Sequence, residues 1–281
     1  MATARQKAGD ADVVPEVTGR DIGGRTRLFA VLGDPVSQVM APAMMNRLFC
    51  ARGVDAVLVP MAVVPDDLDT VVDGLKRIGN HDGFLVTVPH KPALCRKADR
   101  LSEAARLAGS VNAMRREADG TWSGDNFDGE GFVRGLVGAG QPVVGRRFTL
   151  VGAGGAGGAI AAAVLQAGAA ALSIVDIDRS RVDMLCARLD ERWPDRARFA
   201  DVPDPASEVV VNATPLGLRE DDPLPFALDG LRAGAVIADI IMKPAMTRLL
   251  REAAARGFAT HPGLPMLSEQ IPLYQEFFRI P

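Results

Sequence analysis

Apolar and polar positions divide this chain into short hydrophobic runs separated by longer stretches with helical spacing. The run at 28–32 (LFAVL) ends at Gly33-Asp34-Pro35, which predicts a strand and then a turn. Residues 43–52 read as a helix closed by Gly53, and 56–60 as a second strand. Leu68, Val71, Val72 and Leu75 give 67–78 a helical period, and 83–88 (GFLVTV) predicts another strand. Strands alternating with helices imply a parallel sheet with right-handed crossovers. After a short helix at 131–136 the pattern sharpens, with a strand at 147–151, a glycine-rich loop, an Ala-rich helix at 159–166 and a strand at 172–175. Strands at 209–211 and 236–238 follow, then an amphipathic helix at 246–256 with Gly257 just past its end. The change near Asp125 divides the chain into one α/β domain, 21–127 with 262–281, and a second at 128–261. Residues 1–20 read as a flexible tail.

Composition narrows the function classes. The 281 residues, 48% hydrophobic and 24% charged, are enough for two folded domains and too apolar for disorder. A formal net charge of -3 gives no electrostatic reason to expect nucleic acid or an anionic membrane as partner. No apolar run approaches the roughly 18 residues of a membrane span, and the first residues lack a secretion signal. Cys50, Cys95 and Cys186 are scattered and odd in number, so a reducing cytoplasm is the expected location. Three histidines, none at ligand spacing, predict no metal.

The strongest motif is Gly152-Ala153-Gly154-Gly155-Ala156-Gly157, a G-x-G-x-x-G run between a predicted strand and helix. With a second strand about 20 to 25 residues on, the context is that of a Rossmann-type dinucleotide-binding domain. Its glycines let the backbone approach a pyrophosphate at the positive end of the following helix. Asp176 closes the second strand and is placed to accept hydrogen bonds from the adenosine ribose hydroxyls. A 2′-phosphate would be repelled there, and Ile177, not an arginine, comes next, so NAD is favoured over NADP. The alternative is that Asp176 only ends the strand while Arg179 clamps a phosphate.

Thr87 and Lys91, in Val86-Thr87-Val88-Pro89-His90-Lys91, stand after a strand, as do Asn112 in Gly109-Ser110-Val111-Asn112 and Asp128 in Asn126-Phe127-Asp128. Each alone is ambiguous, since a lysine near a turn is most often solvated and an aspartate before glycine most often forms the turn. Together, in this order, they resemble the shikimate dehydrogenase family over nearly the whole chain from about Thr26. The resemblance also rests on Gly33-Asp34-Pro35 with Pro42 and Asn46, the glycine loop, Asn212-Ala213-Thr214-Pro215-Leu216-Gly217, Asp239 with Pro244 and Thr247, and Gly263-Leu264-Pro265-Met266 through Gln270. It implies two α/β domains, an N-terminal substrate-binding one and a Rossmann-type one, with the active site in the cleft between them. It also implies Lys91 and Asp128 as the paired catalytic residues, Lys91 as the base and Asp128 orienting the hydroxyl. A free lysine titrates near about 10.4, so such a base needs desolvation. Thr87, Asn112 and Gln270 would line the substrate site; Asn212, Thr214, Gly217 and Gly263 would face the cofactor.

The sequence departs from the family pattern mainly at one end of the substrate site. Where the family shows His-Ser-x-Ser-Pro, with two serines for the substrate carboxylate, this chain has Gln38-Val39-Met40-Ala41-Pro42. Leu85 stands for the family's asparagine and Met242 for its tyrosine, and Asp176, Ile177 and Asp178 replace an Asn-Arg-Thr clamp for NADP. A hydrogen bond to a charged group contributes about 1.5–3 kcal/mol, so losing two would weaken carboxylate binding by about two to four powers of ten. The expected partner is therefore a small cyclic polyol without a carboxylate, and a homodimer is the possible assembly. Three other readings stay open: Ser37 or Gln38 takes over carboxylate binding, the chain is a nucleotide sensor that has lost catalysis, or it is a methylenetetrahydrofolate dehydrogenase-like enzyme.

Overall fold

The computed structural model describes residues 22–281, and the tail expected at 1–20 lies outside the described residues. Two six-stranded sheets organise the described residues. The first sheet is built from β1 (Arg27–Gly33), β2 (Ala56–Ala62), β3 (His81–Val86), β4 (Arg100–Leu101), β5 (Ala113–Arg116) and β6 (Trp122–Asp125). Helices α1 (Ala41–Ala51), α2 (Leu68–Leu75) and α3 (Glu103–Ala108) accompany it. The order is β2-β1-β3-β5-β6-β4. This sheet corrects the expectation of a parallel one: β1 runs parallel to β2 and β3, but β5 runs antiparallel to β3 and β6. For β5 and β6 the reason is chain length, because the turn from Glu117 to Thr121, closed by a 2.8 Å backbone bond, is too short for a crossover.

Helix α4 (Asp128–Gly138) leads to the second sheet, formed by β7 (Arg147–Val151), β8 (Ala171–Val175), β9 (Ala197–Phe199), β10 (Val209–Asn212), β11 (Val236–Asp239) and β12 (Ala259–His261). Helices α5 (Gly155–Gln166), α6 (Arg179–Asp190) and α7 (Arg248–Ala255) connect its strands, and α8 (Leu264–Phe277) ends the fold. All neighbours here are parallel, in the order β12-β11-β10-β7-β8-β9. Counted within the sheet this is 3-2-1-4-5-6, the dinucleotide-binding order, whose crevice opens where β7 and β10 diverge.

Several boundaries move from the predicted ones for identifiable reasons. The helix expected at 43–52 starts at Ala41, with Pro42 in its first turn, where a missing N–H costs nothing. The helix expected at 159–166 starts at Gly155, since the glycine loop itself forms the first turn. The helix expected at 246–256 starts at Arg248, because Thr247 is its cap and accepts from the Leu250 N–H.

Each sheet has a core on both faces. Phe29, Leu85, Met45 and Phe49 form one core of the first sheet with Leu273, Tyr274 and Phe278 from α8 and its end, so the last helix packs back on the N-terminal sheet. Helix α4 lies between α5 and α8 through its glycines. A Cβ on Gly129 would collide with the Ala159 carbonyl, and one on Gly131 with the Met266 carbonyl. That wedge places Asp128, the first residue of α4, between the two sheets' helices.

Candidate active site

The turn after β3 carries the central cation. Its His90 N–H donates to the Thr87 carbonyl, and the buried His90 ring contacts the Val63 carbonyl through Nε2 at 2.7 Å, which anchors the turn. The Val111 N–H donates to the Lys91 carbonyl at 2.9 Å, tying Lys91 to the segment that carries Asn112. Lys91 Nζ lies 2.5 Å from Asp128 Oδ2, with side-chain exposures of 11% and 4%. A lysine this enclosed is not a solvated surface charge, and its one carboxylate partner supplies the charge balance that a buried cation requires.

The surrounding polar groups fix one another. Asn126 Oδ1 accepts from the Asp128 N–H and its Nδ2 donates to the Ser110 hydroxyl at 2.8 Å, while that hydroxyl donates to the Gly155 carbonyl at 2.7 Å. Asn112 Oδ1 accepts from the Phe127 N–H at 2.9 Å. That backbone group can only donate, so the Asn112 amide nitrogen faces the other way. There Nδ2 lies 3.0 Å from Asp128 Oδ1, 3.1 Å from Gln270 Oε1 and 3.2 Å from the Tyr274 hydroxyl. Two hydrogens thus have three acceptors in reach. Gln270 Nε2 donates to the Met266 carbonyl, and the Tyr274 hydroxyl donates to Gln270 Oε1. Burial pushes the Tyr274 phenol well above its usual range, with the Asp128 charge adding to the effect, so it stays protonated.

Tyr274 is the chain's single tyrosine and is absent from the residues singled out above. The available signal was its spacing, since a residue four after Gln270 shares its face of a helix. Thr87 begins the same turn as Lys91, and its neighbour Val86 donates to the Asn112 carbonyl.

At the other end, Val39, Ala41, Leu85 and Met242 meet in one apolar cluster with Phe127 and Tyr274. Ser37 is exposed, and the Gln38 amide turns back to donate to the Pro35 carbonyl at 2.9 Å. Neither joins the buried polar group.

The glycine loop adjoins Lys91. A Cβ on Gly155 would stand 2.9 Å from the Lys91 Cβ, so α5 begins against the catalytic candidate. Gly152 has φ 105° and a Cβ there would meet Ala213, while one on Gly157 would collide with the Gly152 carbonyl. By contrast, a Cβ on Gly154 would meet nothing within 4 Å. Tight packing behind and open space in front suit a pyrophosphate over the first turn of α5, where amides lack helical partners.

Asp176 Oδ2 accepts from the Ala153 N–H at 2.6 Å and its Oδ1 from the Asp178 N–H at 2.9 Å, so it ties the glycine loop to the end of β8. Asp178 caps α6, and the Ser180 hydroxyl holds its carboxyl below the usual range. Ile177 is fully exposed between them. Arg179 pairs with Asp183 at 2.8 Å and lies over the Phe199 ring; Arg181 pairs with Asp178.

Asn212 is buried and turned inward. Its Nδ2 donates to the Leu216 carbonyl and to Asp239, while Oδ1 accepts from the Thr214 N–H and hydroxyl. Asp239 also accepts from the Thr247 hydroxyl, and burial raises its carboxyl. These groups shape the loop that carries Gly217, and any cofactor contact from Asn212 would come through the backbone it holds. Gly263 packs against the carbonyls of Ile240 and Ile241 at the start of α8. Among the described residues there is no group of three or more His, Cys, Asp or Glu that could hold a metal ion, and no helix long and apolar enough to cross a membrane.

The chain is similar to known proteins over most of its length. A family model described as the shikimate dehydrogenase substrate binding domain matches residues 31–114. A curated relative from Rubrobacter xylanophilus, named shikimate dehydrogenase (NADP(+)), is 41% identical over 256 residues, covering 89% of each chain. The ligand-free 5-ketofructose reductase of Gluconobacter sp. strain CHM43 superposes with a TM-score of 0.79 at 30% identity, over 91% of this chain and 94% of that one. Shikimate 5-dehydrogenase from Listeria monocytogenes, solved with shikimate and NAD, gives a TM-score of 0.79 at 28% identity, over 93% and 98%. With this identity sustained over most of its length, the chain belongs to the shikimate dehydrogenase family.

Proposed function

We propose that this family member is an NAD-dependent dehydrogenase acting on a secondary hydroxyl of a small cyclic polyol that has vicinal hydroxyls but no carboxylate at the apolar end. The observation that carries the reading is the ion pair of half-buried Lys91 with buried Asp128, set against Gly155 at the start of α5. The bound nicotinamide supplies the hydride acceptor for the carbinol carbon. The chain's own groups handle the proton and the orientation. Once it has given up a proton and is the neutral amine, Lys91 Nζ takes the hydroxyl proton as the carbonyl forms; in reduction the ammonium form returns it. Asp128 holds Lys91 through Oδ2, and Asn112 holds Asp128 through Oδ1, so the base is aimed before substrate arrives. Asn112, Gln270 and Thr87 bind the neighbouring hydroxyls. Residues 21–127 with 262–281 form the substrate domain, and 128–261 the NAD domain.

NAD is favoured because a 2′-phosphate beside Asp176 would meet two carboxylates, while the next arginines along the chain, Arg179 and Arg181, pair with Asp183 and Asp178. The absence of a carboxylate follows from the apolar contacts of Val39, Leu85 and Met242. The structural neighbour named as a 5-ketofructose reductase shows that this fold is associated with a keto sugar as well as with shikimate. One observation favours a second reading, in which shikimate is the substrate and the loop before α1 re-aims Ser37: the 41% identical relative is named a shikimate dehydrogenase. A panel of shikimate, quinate and carboxylate-free cyclic polyols, assayed with NAD and NADP in parallel, separates the two. Polyol turnover with NAD supports the proposal; efficient shikimate turnover with NADP supports the second reading.

A further inference from the structure

Three consecutive buried residues between α3 and β5 reach three different parts of the candidate site. The Ser110 hydroxyl donates to the Gly155 carbonyl in the first turn of α5 at 2.7 Å. The Val111 N–H donates to the Lys91 carbonyl, and the Asn112 amide reaches Asp128. This stretch lies outside helix and strand, so its course depends on how it is held. At its entry Gly109, with φ 65°, ends α3, and Arg188 of α6 donates to the Leu107 and Ala108 carbonyls at 3.0 and 3.4 Å. Among the described residues, the Ser110–Gly155 bond is the only hydrogen bond between the glycine loop, 152–158, and residues 22–127.

The direction of each bond is fixed. A carbonyl can only accept, so the Ser110 proton is committed to Gly155. The hydroxyl oxygen is left to accept, and Asn126 Nδ2 donates to it at 2.8 Å. That turns Asn126 Oδ1 toward the Asp128 N–H, from which it accepts at 3.0 Å. An unbroken run of bonds therefore leads from the glycine loop through Ser110 and Asn126 to Asp128, the partner of Lys91. The approach is also close: a Cβ on Gly155 would stand 2.9 Å from the Lys91 Cβ and 3.3 Å from the Ser110 Cβ. Alanine in place of Ser110 would break this run alone, because Asn126 Nδ2 keeps the carbonyl of residue 110, 3.2 Å away.

We infer that Ser110 is a positioning residue, whose hydroxyl holds the glycine loop in register with the Lys91–Asp128 pair. The inference rests on the function proposed above and deepens it. Ser110 acts through Gly155 and Asn126, not by contact with the reacting atoms. The dinucleotide and the proton-transfer pair must meet at a fixed separation, and small misplacements are costly in rate. A directed bond between the loop that would carry the one and the segment that orients the other limits such misplacement.

The test is Ser110→Ala in the full chain with NAD, using whichever is turned over of shikimate and a neutral counterpart whose carboxylate is replaced by hydroxymethyl. One neutral hydrogen bond corresponds to about three- to tenfold, so kcat should fall by that factor. The dissociation constant of NAD and the KM of the substrate should stay within about twofold. Ser110→Cys, whose thiol is a weaker donor, should restore part of kcat, and it serves if the alanine variant folds poorly. A lowered melting temperature with kcat unchanged, or equal losses in kcat and NAD binding, would overturn the inference and leave Ser110 a purely structural residue. A second readout needs no turnover: amide hydrogen exchange with and without NAD. NAD should slow exchange at 110–112 about three- to tenfold more in the native chain than in Ser110→Ala, while the glycine loop is protected in both. Equal slowing at 110–112 would overturn the inference. If the unaltered chain binds NAD but turns over neither substrate, the proposed function falls, while the exchange result still decides the role of Ser110.

Discussion

The two ends of the candidate site are held together by different physics. At the reacting end, Lys91, Asp128, Asn112 and Gln270 come from four separate segments and each depends on another for its orientation. Removing one member leaves a buried donor, acceptor or charge without its partner, a loss of about 1–3 kcal/mol for neutral groups and more for charged ones. At the other end, Val39, Ala41, Leu85 and Met242 belong to one apolar cluster, and packing of that kind tolerates exchange of side chains of similar size. The polar end is thus constrained as a unit, while the apolar end is free to change its side chains. On the proposed function, substrate range would shift there without disturbing the chemistry.

The largest effect should come from breaking the constrained end. Lys91→Ala should lower kcat by about a hundredfold to ten-thousandfold, the usual contribution of a positioned acid–base group. NADH binding, followed by fluorescence, should change less than about twofold. Equal losses in turnover and nucleotide binding would mean that Lys91 acts by supporting the glycine loop it packs against.

Next in size is a change at the free end. Val39→Ser combined with Ala41→Ser should raise kcat/KM for shikimate by about a hundredfold, the effect of two hydrogen bonds to a charged group at their weaker limit. The neutral substrate should gain nothing. A null result would show that the loop before α1 does not face the substrate.

A smaller effect separates loss of the site from loss of the fold. His81 is buried on β3 against Phe84 at a ring-centroid distance of 4.4 Å, with both ring nitrogens unpartnered among the described residues. Burial, aided by the Arg116 charge, pushes its pKa down to about 4. The folded chain then binds fewer protons than the unfolded one below about 6.5, so stability should fall as pH drops from about 6.5 to 4, by up to about 3 kcal/mol. Burial lowers His261 as well, which adds a slope of the same sign. His81→Phe should remove most of the decline in melting temperature over that window. Activity lost in acid by the native chain and retained by this variant belongs to the fold and not to the Lys91–Asp128 pair. An unchanged melting profile would show that His81 does not carry the acid sensitivity.

Much of this was legible in the sequence, for physical reasons that also explain what was not. The second sheet was readable because its strands are continuous apolar runs buried on both faces, and because the glycine loop marks the turn after the first of them. The β5–β6 hairpin escaped notice because its strands have four residues each and carry Arg115 and Arg116, which break the apolar run. Lys91 and Asp128 stood out as members of an ordered series of motifs, but their contact depends on glycines in α4 that let three helices approach closely, which no residue pattern states outright. Asn212 shows another limit: an asparagine suited to a ligand is equally suited to a loop, and here its side chain is occupied by the loop. Tyr274 was missed because its position has meaning only once 264–277 is known to be a helix and Gln270 is placed on its inner face.

The central claim is that this cleft keeps the hydride-transfer machinery of its family while no longer recognising a carboxylate. The most direct test is the ratio of kcat/KM, with NAD, between shikimate and its neutral hydroxymethyl counterpart, two rings with the same vicinal hydroxyls. The account predicts that the neutral ring is preferred. A preference for shikimate of a hundredfold or more would contradict it, because that is about the advantage two intact hydrogen bonds to a carboxylate would confer.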